Sequence, residues 1–335
     1  MNFSPITFLH EKIRNTTPAM RYKEGEDFEL WRSELRKKLI KLTGFDRYEY
    51  CDPEFNLEYT KSCDGYMEHR FTIRTEVGYY LPCVIRIPTG PQGKLPLVIC
   101  LQGHSNGFHI SLGEPKYPGD EKTISGGDRD FAVRAVKEGC IALAVEQRNF
   151  GECSGKDTPG TNCYEPSLMN ILIGRTTIAD RAWDISRVLD VALDRFDKID
   201  ETRIVCLGNS GGGTATYYAA CLDERIAVAV PSCAVCTYKD SIGAVQHCMC
   251  NYIPDAQNFF DMGDLAALIA PRKLIVVNGA QDNIFPQNGV DETFDIIKDM
   301  YKLAGAPDNC ALVTGPEGHR FYADQTWPVL KEFLK

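Results

Sequence analysis

A serine hydroxyl becomes a nucleophile only when a base takes its proton and an acid orients that base. Ser210 stands in Gly208-Asn209-Ser210-Gly211-Gly212, a G-x-S-x-G pattern between the apolar run "RIVCLG" and the small residues Gly213, Thr214, Ala215, Ala219 and Ala220. Strand, tight turn and helix in that order form a nucleophile elbow, where near-absent side chains let strand and helix approach each other. A phosphate loop would need a lysine after its glycines, and none follows. A dinucleotide fingerprint would follow the first strand of its unit, whereas several strands precede this one. A linker would not be flanked by "IVCL" and a helix.

The partners expected of such a serine follow it in the order acid, then histidine, each just after a strand. "LIVVNGAQDNIFP" supplies Asp282 and "CALVTGPEGHRF" supplies His319. Asp291 and Glu292 are nearby alternatives for the acid, whereas Glu146 precedes the serine. His319 alone among six histidines lies downstream of Asp282. The spacing predicts a Ser210, His319, Asp282 triad. Two backbone N–H donors must hold the oxyanion of an acyl-transfer intermediate. Gly211, directly after the serine, is one. The other is expected in the loop "LQGHSNG" (101–107), at His104 with Ser105 as the alternative; the His104 side chain is read as structural or substrate-facing.

The elements that must position these groups alternate. Apolar runs at 95–101, 140–146, 203–208, 225–231, 272–279 and 310–315 read as strands; helical patterns fall at 128–139, 178–196, 289–304 and 324–335. Fully apolar strands alternating with amphipathic helices predict an α/β fold with a mostly parallel central sheet covered on both faces. Before them lie a helical stripe (Phe28, Trp31, Leu35, Leu39, Leu42) and a hairpin pattern over 65–88 that breaks at Val77-Gly78. The chain is therefore divided into an N-terminal helix-plus-hairpin extension, 1–79, packed on a catalytic domain, 80–335. Poorly periodic stretches at 103–127, 151–177 and 236–264 are loop insertions, the last expected to shape the substrate pocket. Aromatics in these loops (Phe108, Tyr164, Tyr252, Phe259, Phe260) are candidates for the pocket lining. Arg148 and Glu146 read as a structural ion pair, and Trp183 and Asp184 as packing and helix-to-loop hydrogen bonding.

With 335 residues, 37 basic against 46 acidic and a formal charge of −9, the chain is ill suited to a phosphate backbone or an anionic membrane surface. Neither nucleic acid nor membrane is expected as a partner. The 14 cysteines would suggest disulfides in a secreted protein, but the N-terminal sequence has no signal-peptide pattern and several cysteines lie inside strand-like runs. Reduced thiols in a cytoplasmic enzyme are expected. Cys233, Cys236, His247, Cys248 and Cys250 invite a metal site; Cys248-x-Cys250 is tighter than the usual zinc knuckle, so neither metal nor cofactor is expected and the segment reads as a cysteine-lined loop at the site's mouth.

Taken together, "LPLVICLQGHSNG", "EQRNFGECSG", "GRTTIADRAWDISRVLDVALDR", "GNSGGG", "HCMCNYIPD", "DMGDLAALIAPRKLIVVNGAQDNIFP" and "GHRF" resemble the α/β-hydrolase superfamily over about 80–335. Within it they are similar to bacterial acetyl xylan esterase-like enzymes related to dienelactone hydrolases and cephalosporin C deacetylases. The resemblance implies a serine esterase acting on a small-molecule ester such as an acetylated carbohydrate, through Ser210, His319 and Asp282. The chain departs from the deacetylase pattern in Arg148-Asn149-Phe150-Gly151, in Gly211 after the serine and in Arg320 after the histidine. A serine peptidase, a dienelactone hydrolase-like enzyme and a non-enzymatic protein of the same fold are the alternatives.

Overall fold

Nine strands form one sheet among the described residues of the computed structural model, 3–157 and 160–335. Residues 1 and 2 of the expected extension, and 158 and 159 of the loop expected over 151–177, lie outside the described residues. The strands are β1 (Asn56–Cys63), β2 (Tyr66–Glu76), β3 (Tyr79–Pro88), β4 (Leu95–Leu101), β5 (Ile141–Val145), β6 (Ile199–Asn209), β7 (Val228–Ser232), β8 (Lys273–Gly279) and β9 (Cys310–Gly315), in the order β1-β2-β3-β5-β4-β6-β7-β8-β9. β1, β2, β3 and β5 pair antiparallel; every pairing from β5 through β4 to β9 is parallel.

The helices ahead of the serine are α1 (Pro5–Asn15), α2 (Phe28–Thr43), α3 (Asp120–Ser125), α4 (Phe131–Lys137), α5 (Tyr164–Leu172) and α6 (Thr177–Arg195). After it come α7 (Gly211–Leu222), α8 (Ala256–Phe259), α9 (Met262–Leu265), α10 (Gln287–Leu303) and α11 (Ala323–Phe333). Two apolar cores lie on opposite faces of the sheet. One packs α2, α6, α7 and α10 against Leu97, Ile99, Cys206 and Val276. The other packs α4 and α11 against Val98, Cys100, Leu207 and Val277. Successive strand residues therefore feed opposite cores, which is why these strands read as unbroken apolar runs. No helix of the described residues is long and apolar enough to cross a membrane.

Three details depart from the sequence expectations. β1 is exposed along nearly its whole length and has no apolar alternation to announce it; pairing with β2 makes it a strand. α3, α5, α8 and most of α9 are short helices inside stretches read as loops. α6 begins where expected, but its burial extends beyond the apolar stripe: Asp180, Arg181, Asp184 and Arg187 are also buried, because Tyr48, Thr75 and the chain after β5 close over its polar side.

The positions of β4 and β6 matter most. The chain goes from β4 to β5 on one side, then crosses back to lay β6 on the other side of β4. The loops leaving β4 and β6 thus run apart in sequence but start side by side, opening a crevice at the carboxyl ends of the strands.

Candidate active site

Ser210 is the single residue between β6 and α7, with φ +56° and ψ −122°, a region that a residue with a Cβ occupies only under constraint. Its N–H donates to the Ser232 carbonyl at 2.8 Å and its carbonyl accepts from Thr214 at 2.8 Å. The turn is closed because its neighbours lack side chains: a Cβ on Gly212 would stand 2.1 Å from the Leu101 carbonyl oxygen. The loop after β4 presses onto the same turn, so that a Cβ on Gly103 would lie 2.8 Å from the Asn209 carbonyl oxygen and 3.1 Å from Ser210 Cβ. The N-terminus of α7 points from this turn, and its dipole favours negative charge there.

His319 follows β9 and Asp282 follows β8. His319 Nδ1 lies 2.8 Å from Asp282 Oδ2. The other carboxylate oxygen accepts from the N–H groups of Ile284, at 2.8 Å, and Phe285, at 3.2 Å. Burial by itself would raise the Asp282 pKa, but the bond to His319 and these N–H donors outweigh it and hold the carboxyl below its ordinary value. Asp282 is 3% exposed and therefore serves His319 rather than solvent. The His319 ring stacks on Phe285, with centroids 6.0 Å apart and planes 16° apart. Ser210 and His319 open onto one pocket of about 260 Å³, with His104, Arg129, Phe285 and the segment carrying Gln246, His247, Cys248 and Asn251 on its walls. A larger hollow of about 440 Å³, between Arg32, Arg36 and Arg272, includes none of these groups.

A family model described as Abhydrolase family matches residues 3–326. The chain belongs to the Abhydrolase family. Among curated proteins, this Abhydrolase chain is 27% identical over 239 residues to "Putative hydrolase YtaP" of Bacillus subtilis (strain 168), a match that covers 69% of this chain and 75% of that one. Among solved structures it superposes on a "putative acetyl xylan esterase" from Bacteroides fragilis NCTC 9343 with a TM-score of 0.84 at 20% identity, covering 100% of this chain and 96% of that one. A glucuronoyl esterase from Solibacter usitatus superposes with a TM-score of 0.67 at 16% identity, covering 95% and 97%. At such identities the superpositions establish the α/β-hydrolase fold.

The other carboxylates considered for the acid lie elsewhere in the Abhydrolase chain. Asp291 accepts from Gln287 and Glu292 pairs with Lys239. Glu146 and Arg148 do not pair with each other, contrary to the sequence reading. Arg148 makes a bidentate pair with Asp184 at 2.7 and 2.8 Å and reaches Glu76 at 2.7 Å. Glu146 turns to the loops, accepting from Gln102 at 2.7 Å and from the Phe108 and Glu152 N–H groups at 3.2 Å. Burial pushes its pKa up to about 8. Trp183 donates to the Thr75 carbonyl at 2.8 Å and Asp184 holds Arg148, as their helix positions suggested.

The pocket lining differs from expectation. Phe108 and Phe260 are core residues, Tyr164 is 69% exposed, and Phe285 is the aromatic that reaches the pocket. The cysteines also regroup. Cys233 donates toward the Arg320 carbonyl at 3.2 Å and Cys236 toward that of Pro286 at 3.8 Å, while the His247 ring nitrogen lies 3.0 Å from Ser241 Oγ; none of them joins Cys248 and Cys250. All 14 cysteines are free thiols. Arg129, absent from the sequence reading, lies on the pocket wall, donates to the His319 carbonyl at 3.4 Å and has no carboxylate within ion-pair distance among the described residues. Its one sequence signal was a position just ahead of α4.

Proposed function

We propose that this chain is a carboxylic ester hydrolase in which Ser210 is the nucleophile, His319 its base and Asp282 the orienting acid. One observation carries the reading: a serine held in a strained turn shares a pocket with a histidine whose Nδ1 is tied to a buried carboxylate. Asp282 fixes the tautomer that leaves Nε2 free to accept the Ser210 proton and stabilises the imidazolium that follows. Ser210 Oγ attacks the ester carbonyl, and the N–H groups of Gly211 and His104 take the oxyanion, the former at the positive end of α7. The alkoxide leaves with the proton from His319, and water, activated by the same histidine, releases the acid and frees Ser210. Every step uses only groups of the chain and water.

The pocket supports a small acyl group: about 260 Å³ is below the roughly 300–1,000 Å³ of pockets that enclose drug-sized ligands. Arg129 adds an unpaired cation suited to a hydroxyl-rich or acidic alcohol portion. An acetylated carbohydrate fits both features, and the names of the structural relatives, acetyl xylan and glucuronoyl esterases, lie in the same chemical class.

Replacing Ser210 with Ala is expected to lower kcat on p-nitrophenyl acetate by roughly 10⁶ and to abolish covalent labelling by a fluorophosphonate, with the circular dichroism spectrum unchanged. Activity that persisted in this variant would remove the assignment. Rates across p-nitrophenyl esters of rising chain length should fall beyond the shortest acyl groups; a rise would assign a larger acyl site.

A further inference from the structure

Outside the Ser210, His319 and Asp282 line, four side chains bring soft donor atoms together. His104, Cys163, Cys248 and Cys250 each offer one ligand atom, and the four atoms lie within 4.8 Å of one another. They come from the three long loops, which follow β4, β5 and β7, and so meet only in the folded chain. Cys250 Sγ stands 3.3 Å from His104 Nε2 and 3.3 Å from Cys248 Sγ. Zinc–sulfur bonds of about 2.3 Å and zinc–nitrogen bonds of about 2.0 Å require tetrahedral edges of roughly 3.5–3.8 Å, inside the observed spread. The Cys-x-Cys spacing that seemed too tight is accommodated by a turn of 3₁₀ helix, Met249–Asn251, which brings both sulfurs to one side.

The charge around this cluster separates a metal site from a group of neutral thiols. Arg181, on α6, is 2% exposed. Its guanidinium donates toward Cys250 Sγ at 3.6 Å and Cys163 Sγ at 3.8 Å. Its other bonds go to the Arg148 carbonyl, at 3.0 and 3.3 Å, and its face lies 4.2 Å from the centre of the Phe150 ring. No carboxylate stands within ion-pair distance of it among the described residues. A buried cation without a counter-charge is costly. Neutral thiols or a disulfide would leave Arg181 unpaired; three thiolates around one divalent ion carry a net charge of −1 and match it.

We propose that His104 Nε2 and the sulfurs of Cys163, Cys248 and Cys250 form a closed, four-coordinate site for a thiophilic divalent cation of the zinc class. Binding displaces the three thiol protons to solvent. With four protein ligands the ion has no open position and acts as a brace. It ties the three loops together through His104, whose Nδ1 would lie 2.9 Å from a Cβ placed on Gly211, so the ring rests against the nucleophile turn. The ion would thereby set the His104 backbone, the proposed oxyanion donor. The site itself does not depend on the ester chemistry.

The test uses the full chain, expressed with added zinc and purified under a phosphine reductant without chelators. Elemental analysis should find about one zinc per chain. Cobalt(II) added to the metal-stripped protein should produce thiolate-to-cobalt charge-transfer bands and the intense visible bands of tetrahedral cobalt. Cys163→Ser should lower the metal content below about a tenth of an ion or weaken cobalt binding by at least about 10–100-fold, whereas Cys310→Ser should retain the wild-type content. Wild-type protein that takes up neither ion, a Cys163→Ser variant that binds as before, or a disulfide among Cys163, Cys248 and Cys250 in the reduced preparation overturns the proposal. If Cys163→Ser fails to fold, the cobalt titration of the wild-type chain still decides it.

Discussion

Asp282 shows how much one side chain can be asked to do. Its two oxygens are committed to different tasks, one to His319 Nδ1 and one to the backbone of Ile284 and Phe285, so the carboxylate is anchored before it orients anything. Asp282→Asn keeps the shape but presents an amide that can donate to the ring nitrogen, favouring the tautomer with the proton on the wrong side. The expected result is a loss of roughly 10⁴ in kcat on p-nitrophenyl acetate with little change in thermal midpoint. A loss of less than tenfold would mean that His319 finds its orientation elsewhere. Ser210, Asp282 and His319 stood out as candidates in the sequence because each follows an apolar strand; chain order removed Glu146 but not Asp291 or Glu292, from which Asp282 differs in its place just after β8. Cys163 was not legible. Nothing local distinguishes it from the other cysteines, since its partners are supplied by two other loops.

At the scale of elements, the chain after β5 is held by two different buried acids. Asp184 on α6 takes Arg148. Glu146 stands under the loops after β4 and β5, against Gly107 and Gly151, whose added Cβ atoms would meet its carboxylate. Its folded pKa, about 8, exceeds the ordinary 4.5 because burial disfavours the charge. The folded state therefore holds a proton that the unfolded chain has lost between those values. Stability from this group is complete below about pH 4.5, declines as pH rises, and is gone above about 8. Urea midpoints measured across pH 5–9 should fall toward the alkaline end, and Glu146→Gln should flatten the slope; an equal slope in both proteins would assign the dependence to other groups. The sequence placed both residues at a strand end but paired them with each other, because it could not show that α6 brings its polar side against Arg148. β1 escaped notice for a related reason: its side chains bury almost nothing, so only the ladder to β2 defines it.

At the scale of the whole molecule, the alternation of strands and helices predicted the parallel sheet and its double covering correctly. Apolar runs fed to two cores have few other solutions. The convergence of the three long loops was beyond that logic, since it depends on the crossing of β5 and β6 about β4.

The position of β9 has a consequence for how this protein fails. β9 is the last strand of the sheet, bonded on one side only, and His319 sits just beyond it, whereas Ser210 leaves the middle. Margins of a folded chain open locally at lower free energy than its interior. Esterase activity should accordingly disappear at a lower urea concentration than the far-ultraviolet ellipticity, and amides of 310–315 should exchange with deuterium before those of 204–209. Coincident transitions would show that the margin and the centre melt as one cooperative body.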